Sequence, residues 1–234
     1  MRSQMFNSFL DGTKSGIEMA AIANAAGLQA PANGLAFPPC SADDLAQVLR
    51  PQSVGGQLEF SGQVEVVSSL ERNGNPVDRD LRWGVYCVFE APNDYSAACF
   101  RQYGMNTDDS GRYSAMYKPF HLIGLELNIS ILSAALRGQP TGAPLCFNAD
   151  VAAVAKRDLA VGETLDGEGG YTVWGKIMPA QASIAAQALP IGLASDVKLT
   201  APIKQGQVVT QKDIVANTDT QAWQVRHAML RDFG

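Results

Sequence analysis

The chain has 234 residues, of which 46% are hydrophobic and 18% charged, which is ordinary for a water-soluble globular protein of one large or two small domains. Its net charge of -5 and its pI near 5.0 argue against a protein that binds nucleic acid or an anionic membrane. The four cysteines form no CxxC pair, two histidines are too few for a His-rich zinc site, and no signal peptide is visible. We therefore expect a cytoplasmic protein with reduced cysteines.

The first predicted element is a helix from about Thr13 to Ala26, ended by Gly27. Asp11, Lys14 and Glu18 follow at steps of three and four residues, so they share one stripe at its start. The stripe has two interpretations, an ordinary solvated Lys–Glu pair or a catalytic group. In the second, the lysine protonates or polarises an oxygen, while the two carboxylates orient it or bind a metal. The nearby GTKS string lacks the spacing of a nucleotide-binding P-loop.

The next predicted elements are a short helix capped by Ser41 and two strands, Leu58 to Leu70 and Arg82 to Phe89. An Asn-Gly turn between the strands favours an antiparallel pair. Residues 29–40, rich in Pro and Gly, form either a surface connection or a loop that wraps a ligand.

Polar residues follow the second strand, where a helix capped by Asn93 or Asp94 runs to Gly104. Glu90 and Asp94 are candidate metal ligands here, although residues of this kind are equally common as plain caps.

A basic and aromatic cluster comes next in the chain, and it is the local positive charge that an acidic protein needs to bind a phosphate or a carboxylate. The candidate substrate-binding residues are Arg112, Tyr117, Lys118, His121 and Asn128.

The segment from Tyr117 to Gly138 is the longest apolar stretch and predicts a central helix. Apolar residues occur on nearly all of its faces, so we expect the helix to be buried. His121 and Asn128 share one face, either as core residues with satisfied hydrogen bonds or as part of a site. The polar residues within the segment make a membrane span too costly.

A change of composition near residues 141–148 predicts a boundary between a domain of residues 1–145 and one of residues 146–234. In the second domain, residues 159–165 align weakly with residues 203–209 as strand, turn, strand units. Residues 166–176 are dense in glycine but lack the spacing of a dinucleotide-binding loop. These patterns predict an α+β protein with a small, mostly β second domain.

Four segments, DGTKSGIEMAAIANAAGL, GVYCVFEAPNDY, GRYSAMYKPFHLIGLELNISILSAALRG and AKRDLAVGETLDGEGGYTVWGK, carry a resemblance that covers nearly the whole chain. Together they resemble the C-terminal half of the homoserine-dehydrogenase-like oxidoreductases that end in an SAF domain, a group that includes deoxyxylulose phosphate reductoisomerase-like enzymes.

The resemblance implies a central α/β catalytic and oligomerisation domain followed by a β-clip SAF domain, in an enzyme that uses NAD or NADP. The N-terminal Rossmann domain of that group is absent from the sequence, so we expect a fragment or one subunit of a split pair. For the complete enzyme we expect hydride transfer to a carbonyl of a small polar substrate, with Lys14 as proton donor. Asp11, Glu18, Glu90 and Asp94 are candidates for binding Mg or Mn.

A homo-oligomer that acts on a small molecule, with no nucleic-acid or membrane partner, is the expected assembly. Two other functions stay open on the sequence alone, a non-catalytic SAF-type ligand-binding module and an oligomerisation module.

Overall fold

The computed structural model of the chain describes residues 3–233, and these residues form helices and small antiparallel sheets. The helices are α1 (Ser3–Leu10), α2 (Thr13–Ala26), α3 (Leu45–Val48), α4 (Asp94–Gln102), α5 (Ile123–Leu132), α6 (Ala180–Ala186) and α7 (Gln221–Phe233). The strands are β1 (Val85–Glu90), β2 (Asn106–Thr107), β3 (Tyr113–Lys118), β4 (Ala149–Ala155), β5 (Thr164–Asp166), β6 (Val173–Pro179), β7 (Ser195–Leu199) and β8 (Ile214–Val215). The predicted α+β class is confirmed.

The chain divides into two compact units. Unit 1 comprises Met1–Leu35 and Pro144–Gly234, and unit 2 comprises Ala36–Ala143. The first helices therefore belong with the C-terminal part of the chain, a grouping that no local pattern in the sequence indicated. The domains predicted from the sequence, residues 1–145 and 146–234, stay a prediction.

Helix α2 holds unit 1 together, and its predicted bounds are confirmed, with Gly27 at φ +71° as its C-terminal cap. The helix packs on β4 and β6, which pair antiparallel. At the contact the Thr13 hydroxyl accepts a hydrogen bond of 2.8 Å from the backbone N–H of Gly175. A Cβ added to Gly16 would lie 3.3 Å from the Gly175 carbonyl oxygen. The contact between α2 and β6, here called the α2 seam, therefore requires small residues.

The two aligned segments of unit 1 meet each other. Leu159 and Ile203 form an antiparallel bridge with N–H···O distances of 2.8 and 3.1 Å. Gly162 and Gly206, the turn glycines of the two copies, both have φ +81°. The weak repeat in the sequence thus corresponds to two tight turns whose arms are joined.

Unit 2 contains the antiparallel sheet β1-β3-β2 over a small apolar core that includes Leu45, Leu49 and Tyr113. The strand predicted from Leu58 to Leu70 is wrong, because this segment forms only isolated bridges. The buried Glu65 carboxylate accepts from the N–H groups of Ala36, Phe37 and Val66, so a side chain replaces the partner strand there. β1 pairs with β3 instead, in the register Glu90 to Tyr113.

The helix predicted from Tyr117 to Gly138 is confirmed only in part. α5 begins at Ile123 and continues into a π-helical turn, Ser133–Arg137, while Tyr117 and Lys118 lie in β3. The prediction that this helix is buried is wrong, since no residue from Ile123 to Arg137 is buried. The apolar sequence of a helix predicts that its surface packs against another apolar surface, but it does not indicate whether that surface belongs to the same chain.

Across residues 3–233, no helix combines the length and the apolar character needed to cross a membrane.

Candidate functional site

A cleft of about 410 Å³ lies in unit 2, where β1 ends, α4 begins and β3 begins. β1 carries Glu90 to the rim, and β3 places Tyr113 opposite it. Asn93 starts α4 by accepting a hydrogen bond of 2.9 Å from the backbone N–H of Ser96, and Asp94 follows it. The cleft is lined by three arginines, Arg50, Arg101 and Arg112, and three acidic residues, Glu90, Asp94 and Asp108.

One of these charge pairs is structural. The carboxylate of Asp108, which is fully buried, forms an ion pair with Arg50, whose side chain is 11% exposed. Burial alone would raise the pKa of Asp108, but hydrogen bonds from Ser110 and from the Tyr113 N–H, together with the Arg50 charge, hold that pKa below its ordinary value. Asp108 and Arg50 therefore neutralise each other at the base of the cleft.

The remaining arginines are available to a ligand. Nη1 of Arg112 lies 3.3 Å from the Asp94 carboxylate, which is almost fully exposed, yet within residues 3–233 this buried nitrogen makes no hydrogen bond. Arg101 is exposed, and its only side-chain hydrogen bond in the described part of the chain is a long one, 3.5 Å, to the Ser110 carbonyl. An anion in the cleft would supply the acceptors that both guanidinium groups lack.

Tyr113 keeps its proton at the floor of the cleft. Burial, then the nearby charge of Glu90 and the hydrogen bond to that carboxylate, raise the pKa of the Tyr113 phenol. The phenol is thus a neutral hydrogen-bond donor beside a carboxylate.

The structure brings together three of the predicted site residues in this cleft, Arg112, Glu90 and Asp94. The sequence reasoning missed Arg50, Arg101, Asp108 and Tyr113 as members. Tyr113 was visible in the aromatic cluster, but Arg50 and Asp108 lie 58 residues apart and carry no local signal for their pairing.

The other predicted substrate-binding residues lie elsewhere. Lys118 forms an ion pair with Glu126, and Nδ1 of His121 lies 3.6 Å from the same carboxylate. Tyr117 packs against the apolar core of unit 2, and Asn128 is exposed on α5.

The predicted catalytic stripe is likewise divided. Asp11 forms an ion pair of 2.6 Å with Lys156 and accepts a hydrogen bond from the Thr13 N–H at the start of α2, and it makes no ion pair with Lys14. Lys14 is partly buried and has no ion-pair partner among the described residues, and Glu18 is exposed. Of the three residues, Asp11 alone is engaged in an ion pair within the described part of the chain.

The described ranges hold no group of three Asp, Glu, His or Cys side chains that could share a metal ion. The candidate ligands Asp11, Glu18, Glu90 and Asp94 thus form no such group of three, and Mg or Mn stays a prediction from the sequence.

A second cavity, of about 430 Å³, lies in unit 1 beside α2, β4 and α7. Its wall is mainly apolar, with Ile17, Phe147 and Ile191 among its residues, and it contains the ion pair between Asp150 and Arg226. The Ser183 hydroxyl donates to the same Asp150 carboxylate at 2.5 Å.

A protein family matches the chain, as follows. No curated protein matches the chain. The family described as oxidoreductase DRL, catalytic domain, matches residues 1–127, which is more than half of the chain and includes all residues that line the unit 2 cleft. The chain therefore belongs to the oxidoreductase DRL catalytic-domain family, and its function is that of an oxidoreductase catalytic domain.

Proposed function

We propose that the chain is the substrate-binding and catalytic part of an NAD(P)-dependent oxidoreductase that acts on a small polar carbonyl or hydroxy compound with an anionic group, such as a phosphate. The observation that carries this proposal is the unit 2 cleft, in which Arg112 and Arg101 have donors to spare beside the Tyr113–Glu90 pair. The resemblance to the homoserine-dehydrogenase-like and reductoisomerase-like enzymes supports the same class of reaction.

In this proposal Arg112 and Arg101 bind the anionic group of the substrate. Tyr113 cannot easily ionise beside Glu90, and its single O–H, which is donated to Glu90 in the free protein, turns to a substrate oxygen when substrate binds. Lys14 stays the proposed proton donor of the reaction because it is partly buried and unpaired in the described part of the chain.

The nicotinamide cofactor does not fit the described residues. A dinucleotide is usually bound where a glycine-rich loop joins a strand to the N-terminus of a helix. In residues 3–233 four connections join a strand to the next α-helix: residues 91–93 before α4, residues 119–122 before α5, a direct passage from β6 into α6, and residues 216–220 before α7. None of them contains glycine. We propose that a domain other than these two units binds the cofactor.

The anion site can be tested without knowing the substrate. Titration calorimetry with inorganic phosphate should give a dissociation constant at least about tenfold weaker for Arg112→Gln than for the unsubstituted chain, since a charge-assisted hydrogen bond contributes about 1.5–3 kcal/mol. Arg79→Gln, which removes an exposed arginine of the same unit, is the matched control and should bind as the unsubstituted chain does. Equal affinity in all three proteins would contradict the assignment of the cleft.

The role of Lys14 requires the complete enzyme with its cofactor domain. Lys14→Ala should lower turnover by about 10²–10⁴, the usual contribution of a positioned acid, with an unchanged circular dichroism spectrum. Full activity of this variant would exclude Lys14 as the proton donor.

A specific observation favours a second function, that of a non-catalytic SAF-type ligand-binding module. The unit 1 cavity has the size and the apolar wall of a small-molecule site, with one polar pair in it. An apolar ligand retained by the Arg112→Gln variant would favour this alternative, because the cavity shares no residue with the unit 2 cleft.

A further inference from the structure

The cavity of unit 1 is bounded in part by one face of helix α7. Arg226, Met229 and Phe233 follow one another on this helix at steps of three and four residues, and all three line the cavity. The rest of the wall is mainly apolar, with Ile17 of α2 and Val151 of β4 among its residues. Its volume of about 430 Å³ lies within the range of sites that bind small molecules.

The acidic group in this cavity has all of its acceptor positions filled. The Asp150 carboxylate accepts hydrogen bonds from the Val151 N–H at 3.0 Å and from the Ser183 hydroxyl at 2.5 Å. It also accepts from both terminal nitrogens of Arg226. A carboxylate offers about four acceptor positions, so Asp150 has none to spare for a ligand.

The cavity carries no net charge. Asp150 and Arg226 are the only charged residues in its described wall, and their side chains are 9% and 11% exposed. A ligand anion would compete with Asp150 for Arg226, and a ligand cation would compete with Arg226 for Asp150. Either exchange would leave a buried charge without its partner, which is costly. An ionic ligand therefore does not fit this cavity.

One hydrogen-bond donor remains. Arg226 binds Asp150 through Nη1 and Nη2, so its Nε–H is not used, and this buried nitrogen has no hydrogen-bond partner within residues 3–233. The guanidinium group also lies over the ring of Phe147, 5.3 Å from the ring centroid. The ion pair and the ring together fix the orientation of the group, so the Nε–H is a donor that is held in place before a ligand arrives. A buried donor without a partner is costly, and an acceptor on a bound molecule would remove that cost.

We propose that the unit 1 cavity binds an uncharged, mainly apolar molecule, and that the Nε–H of Arg226 donates a hydrogen bond to a carbonyl or ether oxygen of this molecule. The inference names the ligand class of the second function proposed above and rests on that function. It uses no residue of the unit 2 cleft, so it is independent of the proposed reaction.

The test follows the methionine methyl groups of the full 234-residue chain by NMR, after incorporation of methyl-labelled methionine. Met229 lines the cavity and is assigned from the signal that Met229→Leu lacks, whereas Met116 is exposed in unit 2 and is the internal reference. The probes are acetophenone, which carries a carbonyl oxygen, ethylbenzene, which has a similar shape without that oxygen, and benzoate, which is charged. Apolar cavities in proteins bind small aromatic molecules.

The first two probes should shift the Met229 signal in a saturable way and leave the Met116 signal unchanged. Benzoate should bind at least about tenfold more weakly than acetophenone, because its charge would be buried without a partner. If benzoate binds as tightly as acetophenone, the uncharged ligand class is wrong.

The hydrogen bond is isolated by comparing a ratio between variants. The ratio of the dissociation constants of ethylbenzene and acetophenone measures the preference for the carbonyl group. This preference should fall by about tenfold or more in Arg226→Lys, which keeps the positive charge beside Asp150 but lacks the Nε–H. Arg231→Lys makes the same change at an exposed position of α7 outside the cavity wall and should leave the ratio unchanged.

The outcomes separate this inference from the function on which it rests. A Met229 signal that no probe moves would overturn both. Binding with the same ratio in Arg226→Lys and in the unsubstituted chain would keep the cavity as a ligand site but overturn the role of Arg226.

Folding of the variants is checked by circular dichroism. If Arg226→Lys does not fold, the carbonyl carbon of labelled acetophenone decides on the unsubstituted chain. Hydrogen bonding deshields this carbon, so on binding its resonance should stay at or downfield of its position in water. An upfield shift, as in an apolar solvent, would contradict the hydrogen bond.

Discussion

Unit 1 and unit 2 stabilise their interiors in different ways. In unit 1 every residue of β4 is buried, and α2 packs on β4 and β6 through Gly16 and other small residues. In unit 2 buried carboxylates stabilise the interior. The side chains of Glu65 and Asp108 accept hydrogen bonds from backbone N–H groups that no neighbouring strand accepts. The difference teaches that the α2–β4 interior of unit 1 should respond mainly to changes of volume, and the surroundings of Glu65 and Asp108 in unit 2 to changes of charge and pH.

The largest effect that we expect comes from removing the charge of Asp108. Asp108→Asn leaves the Arg50 guanidinium, 11% exposed, without its counter-charge, and breaking a buried ion pair in this way costs about 3–5 kcal/mol. Hydrogen exchange followed by mass spectrometry should show the loss in peptides of unit 2 and leave those of unit 1 unchanged. Asp109→Asn, at the exposed neighbouring position, is the control and should change little. An equal loss of exchange protection in both units would contradict the difference between the units that is described above.

The stability that the Asp108 carboxylate contributes should depend on pH. Since the folded protein holds the pKa of Asp108 below its ordinary value, the stability from this group is present above that ordinary value of 3.8 and is lost as pH falls through the lowered pKa. Acid should therefore reduce the contribution of Asp108 to the stability of unit 2.

A change of volume at the α2 seam should have the next largest effect. Gly16→Val places a branched side chain 3.3 Å or less from the Gly175 carbonyl and should cost about 1–3 kcal/mol in unit 1. Ala21→Val adds a branched side chain to the exposed face of the same helix, so it corrects for helix propensity. If the two variants lose equal free energy of unfolding, the tight seam is not what stabilises unit 1.

The smallest effect concerns Glu65. Burial raises the pKa of this carboxyl above 4.5 despite the three backbone N–H groups that bind it. The stability that Glu65 contributes is therefore complete below pH 4.5 and declines as pH rises through the raised pKa. Urea unfolding of the unsubstituted chain and of Glu65→Gln should give a difference in stability that shrinks from pH 4.5 to pH 7. A difference that grows over this range would mean that the folded state favours the ionised carboxylate.

Local signals in the sequence predicted local structure well. α2 and α4 were expected where they lie, because Gly27 and Asn93 are cap residues whose effect depends on the next few residues only. The class α+β follows from such elements. The supposed strand from Leu58 to Leu70 failed because the Glu65 carboxylate, and not a partner strand, accepts the backbone N–H groups of Ala36 and Val66.

The candidate site was predictable only in part. Glu90 and Asp94 were found because polar residues follow the strand β1, and Arg112 because it lies in the basic and aromatic cluster. The partners that fix the charges were not found, since Asp11 pairs with Lys156 and Arg50 with Asp108 across long stretches of chain. The spacing along one helix predicted that Asp11 orients Lys14, whereas in the folded chain Asp11 forms its ion pair with Lys156.

The order of unit 1 along the chain has a consequence for its synthesis. Asn24 of α2 donates to the carbonyl of Ala149 in β4, 125 residues away, so the helix leaves the ribosome long before its sheet exists. At about 5–20 residues per second, the nascent helix spends on the order of ten seconds with its packing face open to solvent. Unit 2 lies entirely within that interval and can fold first. The final step of maturation is then the capture of α2 by β4 and β6, and a chaperone that binds apolar helices would act on the chain before that capture.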